Sequence, residues 1–301
     1  MKRILAWMLC LLCLRSGSAE PAAQVESPNP IIGITIDDSW YESCSIEDIV
    51  SAITALPYRP VARVVMSREM EPEAYVDIMR KLSAAADIMA CPVDSYEMKH
   101  YETAEGYLAR FRKSYALLHP YVSLWEIGNE INGEGWLGED TALIAEKMTA
   151  AYDFVQQQGA KSALTAYYSK PGEQRMQMLD WLREWVPQRM KDALAYLWVS
   201  YYEDDNAGYL PDWKTIFQEL AQMFPHSLLG IGECGVTAES ATAAQKIARI
   251  RRYYTMPRYT ERFVGGYFWW YWVQDCLPIE DNVVYKTFQA LEQEQYERRT
   301  R

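Results

Sequence analysis

The chain is short of several things that would point to common chemistries. It has three histidines, His100, His119 and His226, and no H-x-H pair. Cys44, Cys91, Cys234 and Cys276, the four cysteines beyond the N-terminal apolar run, show no metal-ligand spacing, which argues against a zinc site. The first apolar run ends in Asp37-Asp38-Ser39-Trp40, so it lacks the Gly-rich phosphate turn of a dinucleotide-binding sheet. Basic residues are in the minority, 30 Lys plus Arg against 41 Asp plus Glu, a balance that disfavours nucleic acid or an anionic membrane as partner. Past the first residues, no apolar run is long enough to span a bilayer.

What the chain does have is apolar bulk and aromatic surface. Half of its 301 residues are hydrophobic, enough for a sizeable core, and it carries 11 Trp and 22 Tyr. Such side chains fill large cores, and their flat faces with one polar edge also suit sugar rings and interfaces.

The N-terminus reads as a targeting segment. Lys2 and Arg3 precede an apolar stretch from Ile4 to Leu14, too short to cross a membrane, and Gly17 and Ala19 place small residues before a cleavage point after Ala19. Residues 1–19 are therefore expected to be a signal peptide, residues 20–30 a Pro-rich linker and residues 31–301 a single catalytic domain. A secreted or periplasmic location follows from that reading, with no membrane span after removal of the signal. Cys10 and Cys13 would leave with the signal, and Cys44, Cys91, Cys234 and Cys276 would remain. An oxidising compartment permits disulfides. A Cys44–Cys276 bridge is open, because the first and last strands meet when a barrel closes, whereas Cys91 reads as a buried free thiol.

From Ile31 onward, strands and helices alternate without a break. Apolar strands are expected at 31–38, 60–67, 87–95, from Val122, and at 161–169, 195–203, 227–236 and 264–273. Helices fill the intervals, among them one opened by Ser45, one over 71–86 and one over 173–194. Near-continuous apolar strands suit a parallel sheet covered on both faces. Eight strand–helix units in this length fit the α/β class, as a (β/α)8 TIM barrel.

In such a barrel, functional residues sit at the C-terminal ends of the strands. Here those ends carry Asp37, Asp38 and Trp40 on the first, Arg63 on the second, Asp94 on the third and Asn129-Glu130 on the fourth. The sixth ends in Tyr201-Tyr202-Glu203, the seventh in Glu233, and the eighth carries Trp269, Trp270 and Trp272. Glu130 and Glu233 end two apolar strands that a barrel sets across from one another. Two facing carboxyls, one held protonated and one free to attack, are what cleavage of a glycosidic bond requires. Asp37, Asp38 and Asp94 are candidates for binding sugar hydroxyls. Trp40, Trp136 and Trp213 lie in loops or at helix starts, where one or two could stack on further sugars.

W-E-I-G-N-E at Trp125–Glu130 resembles the fourth-strand motif of the clan A glycoside hydrolases. I-G-E-C-G at Ile231–Gly235 is similar to their seventh-strand motif. V-S-Y-Y at Val199–Tyr202 resembles the sixth-strand motif, and G-Y-F-W-W at Gly266–Trp270 the eighth. The resemblance implies Glu130 as acid/base, Glu233 as nucleophile and Asn129 as the neighbour that binds the sugar 2-hydroxyl. It further implies Tyr202 as hydrogen-bond donor to the nucleophile, Trp270 as floor of the sugar site and Arg63 as the brace of Glu233. Ser200 departs from the pattern, standing where a His or Asn is common.

The implied activity is a retaining glycoside hydrolase that cleaves β-linked glycans by double displacement, with an oligo- or polysaccharide as substrate and neither metal nor cofactor. Two other readings stay open. One is a sugar-binding barrel that has lost catalysis, against which the intact glutamate pair speaks. The other is a metal-dependent barrel hydrolase, against which the scarcity of histidine speaks.

Overall fold

The computed structural model describes residues 28–300, so the expected signal peptide and all but the last three residues of the expected linker lie outside the described residues. Eight parallel strands close into a barrel in sequence order: β1 (Ile31–Ile36), β2 (Val61–Val65), β3 (Asp87–Cys91), β4 (Leu124–Gly128), β5 (Ser162–Tyr167), β6 (Tyr196–Ser200), β7 (Leu228–Glu233) and β8 (Phe263–Trp269). Closure is made by β8 pairing with β1, Ile31 opposite Gly265 and Ile34 opposite Trp269. The α/β barrel expected from eight apolar runs is the fold observed. Each strand is shorter than its run, because the last residues of each run leave the ladder to form the rim of the mouth.

The helices cover the outside. Ser45 caps the helix Ile46–Thr54 through a reciprocal exchange with Asp48, and Thr242 does the same with Gln245 at Ala243–Tyr254. Ile46, Ile49, Ala52 and Ile53 turn one face of the first of these helices inward. Two expected helices differ in detail. The 71–86 segment opens with a tighter turn at Pro72–Ala74 before the α-helix Tyr75–Leu82. The 173–194 segment is two helices, Met178–Trp185 and Gln188–Ala193, because Pro187 forces the residue before it out of helical conformation. Among the described residues, no helix is long and apolar enough to cross a membrane.

The lumen is layered. Its N-terminal end is plugged by Met89, Leu124, Ala163, Trp198, Val264 and Phe268. The Trp198 and Phe268 rings meet edge to face, their centroids 5.4 Å apart. That plug explains the glycines opposite it. A Cβ on Gly266 would run into the Ile231 carbonyl and sit 3.1 Å from the Trp198 ring, and the φ of +85° there already favours glycine. One step along the strands, the inward side chains turn polar: Arg63, Glu126 and Thr165 are all fully buried.

The four described cysteines are free thiols, so the Cys44–Cys276 bridge does not form. Strand closure does bring that side of the barrel together, but the two thiols face different surroundings. Cys276 is wholly buried at the end of the helix Trp272–Cys276, whereas Cys44 is half-buried beside the Ser43 hydroxyl at 3.9 Å. Cys91 is the buried free thiol expected of it.

Candidate active site

A cavity of about 500 Å³ opens at the C-terminal ends of the strands. Glu130, Glu233, Tyr202, Trp270 and Asp94 line it, together with Ser95, Tyr96, Trp136, Tyr167, Asp205, Thr237 and Tyr271.

Its base is a buried charge network. Arg63 reaches inward from β2 and donates from Nε to Glu126 Oε2 at 2.7 Å and from a terminal nitrogen to Glu126 Oε1 at 3.2 Å. Its other terminal nitrogen donates to Glu233 Oε2 at 2.7 Å. Burial works against the Arg63 charge, but Glu126 and Glu233 outweigh it and hold the guanidinium charged. The Thr165 hydroxyl donates to Glu126 Oε1 as well. The Trp270 ring lies over the guanidinium, 5.6 Å from its centroid, a cation–π contact inside the barrel.

The two glutamates therefore have unequal surroundings. Glu233 accepts from Arg63 and, at 2.7 Å, from the Tyr202 hydroxyl. Glu130 makes no ion pair among the described residues, and Arg63 acts on it only from a distance. It accepts from the Ser200 hydroxyl at 2.5 Å and from Ser95 at 3.4 Å. Burial pushes both carboxyls above their ordinary range. Glu130 is driven further because the Glu233 charge adds to burial, whereas Arg63 and Tyr202 pull Glu233 back down. The pair shares its titration, and Glu233 is the member whose surroundings favour ionisation.

Local backbone geometry brings them together. Ser200 sits opposite Glu233 in the β6–β7 register, after an irregularity at Val199–Ser200 that re-aims it. Its hydroxyl then reaches Glu130, so one serine spans the gap between the strand bearing Glu233 and the acid on β4. Glu130 itself has φ +44°, a left-handed conformation uncommon for a residue with a side chain. Asn132 holds the segment just beyond by donating to the Tyr167 carbonyl and accepting from the Tyr167 N–H, both at 2.8 Å.

Asn129 is fixed by donating to Asp94 Oδ1 at 2.8 Å, which leaves its own Oδ1 buried without a partner among the described residues. Burial raises the Asp94 carboxyl despite hydrogen bonds from Asn129 and the Ser95 backbone. No cluster of three or more His, Cys, Asp or Glu is set to hold a metal among the described residues.

Glu130, Glu233, Asn129, Tyr202, Trp270 and Arg63 all converge on this centre. Asp37 does not line the cavity. It stands at the rim, accepting from Ser39 at 2.7 Å and from Gln274 at 3.1 Å. Asp38 is engaged by Tyr75 and the Ser67 N–H, and Glu203 turns outward into ion pairs with Arg249 and Arg252. Trp40 and Trp213 are core residues, and Trp269 is buried with its indole N–H on Asp275. Of the three loop tryptophans, Trp136 lines the cavity. Cys234 follows Glu233 but points away, its thiol donating to the Tyr267 carbonyl.

Sequence reasoning missed Glu126, Thr165, Ser95 and Tyr96. Glu126 was within reach: in W-E-I-G-N-E it lies two residues before Gly128 and four before Glu130, and a strand alternates sides with period two, so it had to face the lumen. Tyr96 carried no comparable signal, because a tyrosine beyond a strand end has no periodicity to betray which way it faces.

No family model matches the chain, and no curated protein sequence matches it. Solved structures do. A glucosidase from Croceicoccus marinus superposes with a TM-score of 0.61 at 14% identity, over 89% of this chain and 68% of that one. A β-glucosidase in its apo form gives 0.54 at 14%, over 75% of this chain and 76% of that one. Saccharomyces cerevisiae Gas2p in complex with laminaripentaose gives 0.56 at 12%, over 89% of this chain and 65% of that one, so the chain spans just under two thirds of that protein. At such identities the likeness is one of fold.

Proposed function

We propose that this protein is a retaining glycoside hydrolase acting on β-linked glucans. The observation that carries the reading is the asymmetry of one carboxyl pair in one cavity: Glu233 held by Arg63 and Tyr202, Glu130 buried without an ion pair among the described residues. Buried carboxyls driven apart in acidity are how one site supplies both an acid and a base.

In the first step, a Glu233 oxygen attacks the anomeric carbon and the glycosidic bond breaks. Glu130 gives its proton to the departing oxygen. The leaving sugar departs as an alcohol and Glu233 carries the glycosyl group as an ester. With Glu233 esterified, its charge no longer holds the Glu130 proton on, and Glu130 now ionises more readily. In the second step, Glu130 takes a proton from water, the water oxygen attacks the anomeric carbon, and Glu233 leaves as carboxylate. Arg63 and Tyr202 stabilise that carboxylate at the start and the end of the cycle. Asn129 offers its unpartnered Oδ1 to a sugar hydroxyl, and Trp270 offers a flat floor beneath the ring. The resemblance to β-glucosidase and laminaripentaose-bound folds supports glucans as the substrate class. Export by the leader at residues 1–19 belongs to the same proposal, and the mature N-terminus of protein collected outside the cell tests it.

Proton NMR during hydrolysis of laminaripentaose tests the mechanism. The first-formed hemiacetal at the cleaved end is expected to be the β anomer, mutarotating later. The α anomer appearing first, or no hydrolysis, would overturn the mechanism.

A further inference from the structure

The walls of the cavity differ in origin. Trp270, Tyr271, Tyr202, Asp205 and Thr237 come from the loops after β6, β7 and β8, on the side of Glu233. Tyr96, Trp136 and Tyr167 come from the ends of β3, β4 and β5, on the side of Glu130. The second group is an aromatic stack. Tyr96 lies on Trp136 with centroids 6.0 Å apart and planes 26° from parallel, and Trp136 meets Tyr167 edge-on at 5.0 Å.

Tyr96 is 60% exposed, although a large ring half out of water gains little for the fold. It sits on the short 3-10 helix Ser95–His100, which is anchored at its start and along its length. Asp94 accepts from the Ser95 N–H at 2.8 Å, and Lys147 donates to the Met98 carbonyl at 3.1 Å. The Trp136 indole N–H is buried and has no hydrogen-bond partner among the described residues, although the residue lines the cavity. An exposed ring on an anchored turn, stacked on a second ring in the cavity wall, is a surface built for a ligand.

We propose that the Tyr96–Trp136 wall binds the leaving-group sugar, the pyranose ring on the far side of the bond to be cleaved. The proposal rests on the function reading above, because a proton donor stands next to the oxygen it protonates, and the ring attached to that oxygen must lie against the Glu130 wall. A tyrosine face takes a ring with one face of axial C–H groups and no axial hydroxyl, which is the gluco configuration. Trp136 backs the Tyr96 ring and holds its outer face toward the cavity. The enzyme therefore prefers a chain of at least two sugars to a single sugar on a small leaving group.

The test is Tyr96→Ala, a surface change that leaves the barrel intact, assayed on laminaripentaose and on β-glucosyl fluoride. The fluoride leaves without a ring and needs no acid, so it does not touch the wall. The expected result is a loss of roughly three- to tenfold in kcat/KM on the oligosaccharide. The rate on the fluoride should stay unchanged, and Tyr96→Phe should restore the oligosaccharide rate. Equal losses on both substrates, or no loss on either, would overturn the wall. If the unaltered chain turns over neither substrate, the function reading falls, and calorimetric titration with laminaripentaose then judges the wall alone. Weaker binding by Tyr96→Ala supports it; equal binding, or none, overturns it.

Discussion

Leu124 and Glu126 are two residues apart on β4 and point to the same side, yet they belong to opposite kinds of interior. Leu124 lies in the apolar plug with Met89, Trp198 and Phe268, where contacts are many and interchangeable. Glu126 lies in a layer where each polar atom has a named partner: Arg63 donates to both of its oxygens and Thr165 to Oε1. The plug stabilises by removing area from water, a non-directional effect. The charged layer gains from direction, and it loses heavily when one member is taken away. The fold thus separates support and chemistry by a single pleat of the same strands.

Substitutions at the two ends sharpen that contrast. The largest effect is expected at Glu233→Ala, with turnover of an aryl β-glucoside down by about 10⁴-fold or more and the circular dichroism of the barrel retained. A loss of only a few fold would move the chemistry elsewhere. Next comes Trp198→Ala in the plug, which should reduce unfolding free energy by about 3–5 kcal/mol in a denaturant titration and leave kcat/KM of the folded fraction near that of the unaltered protein. If it silenced the enzyme while sparing stability, the two ends would not be separable. Glu126→Ala stands between them, leaving Arg63 with Glu233 as its sole carboxylate. Stability should fall by about 3 kcal/mol and the rate should fall with it, both followed in one purified sample.

The smallest change is expected from Ser200→Ala. The Ser200 hydrogen bond favours the ionised form of Glu130, so its loss raises that carboxyl further. The acid must be protonated to work, so the alkaline limb of the pH–rate profile should move to higher pH. The acid limb, set by ionisation of Glu233, should stay nearly in place. Movement of the alkaline limb downward would reverse the assignment of the two glutamates.

The two interiors also differed in how readable they were. The plug and the strands around it were legible because parallel strands buried on both faces leave unbroken apolar runs, and all eight were found. The glutamates were legible because each ends such a run. Glu126 went unnoticed because attention to the end of a motif passes over what lies inside it, although strand alternation aims it at the same lumen. Asp37, Asp38 and Glu203 show the converse. Each follows a strand end, but beyond the last ladder bond the chain turns freely, and these carboxylates meet Gln274, Tyr75 and Arg252 instead of the cavity. The break at Pro187 was written in the sequence; the tight turn that presents Tyr96 was not, since it depends on what anchors it.

The left-handed backbone at Glu130 has a consequence for the protein as a whole. An L-residue there is held off its preferred geometry by about 1 kcal/mol or more, and its carboxyl is buried besides. Glycine would relax both strains at once, so Glu130→Gly should melt at a higher temperature than the native chain while losing its rate on oligosaccharides, whose leaving oxygen needs a proton. Selection for robustness alone would erase this glutamate, and a strained, buried carboxyl at the cavity wall is what the proposed acid role would require a scaffold to tolerate.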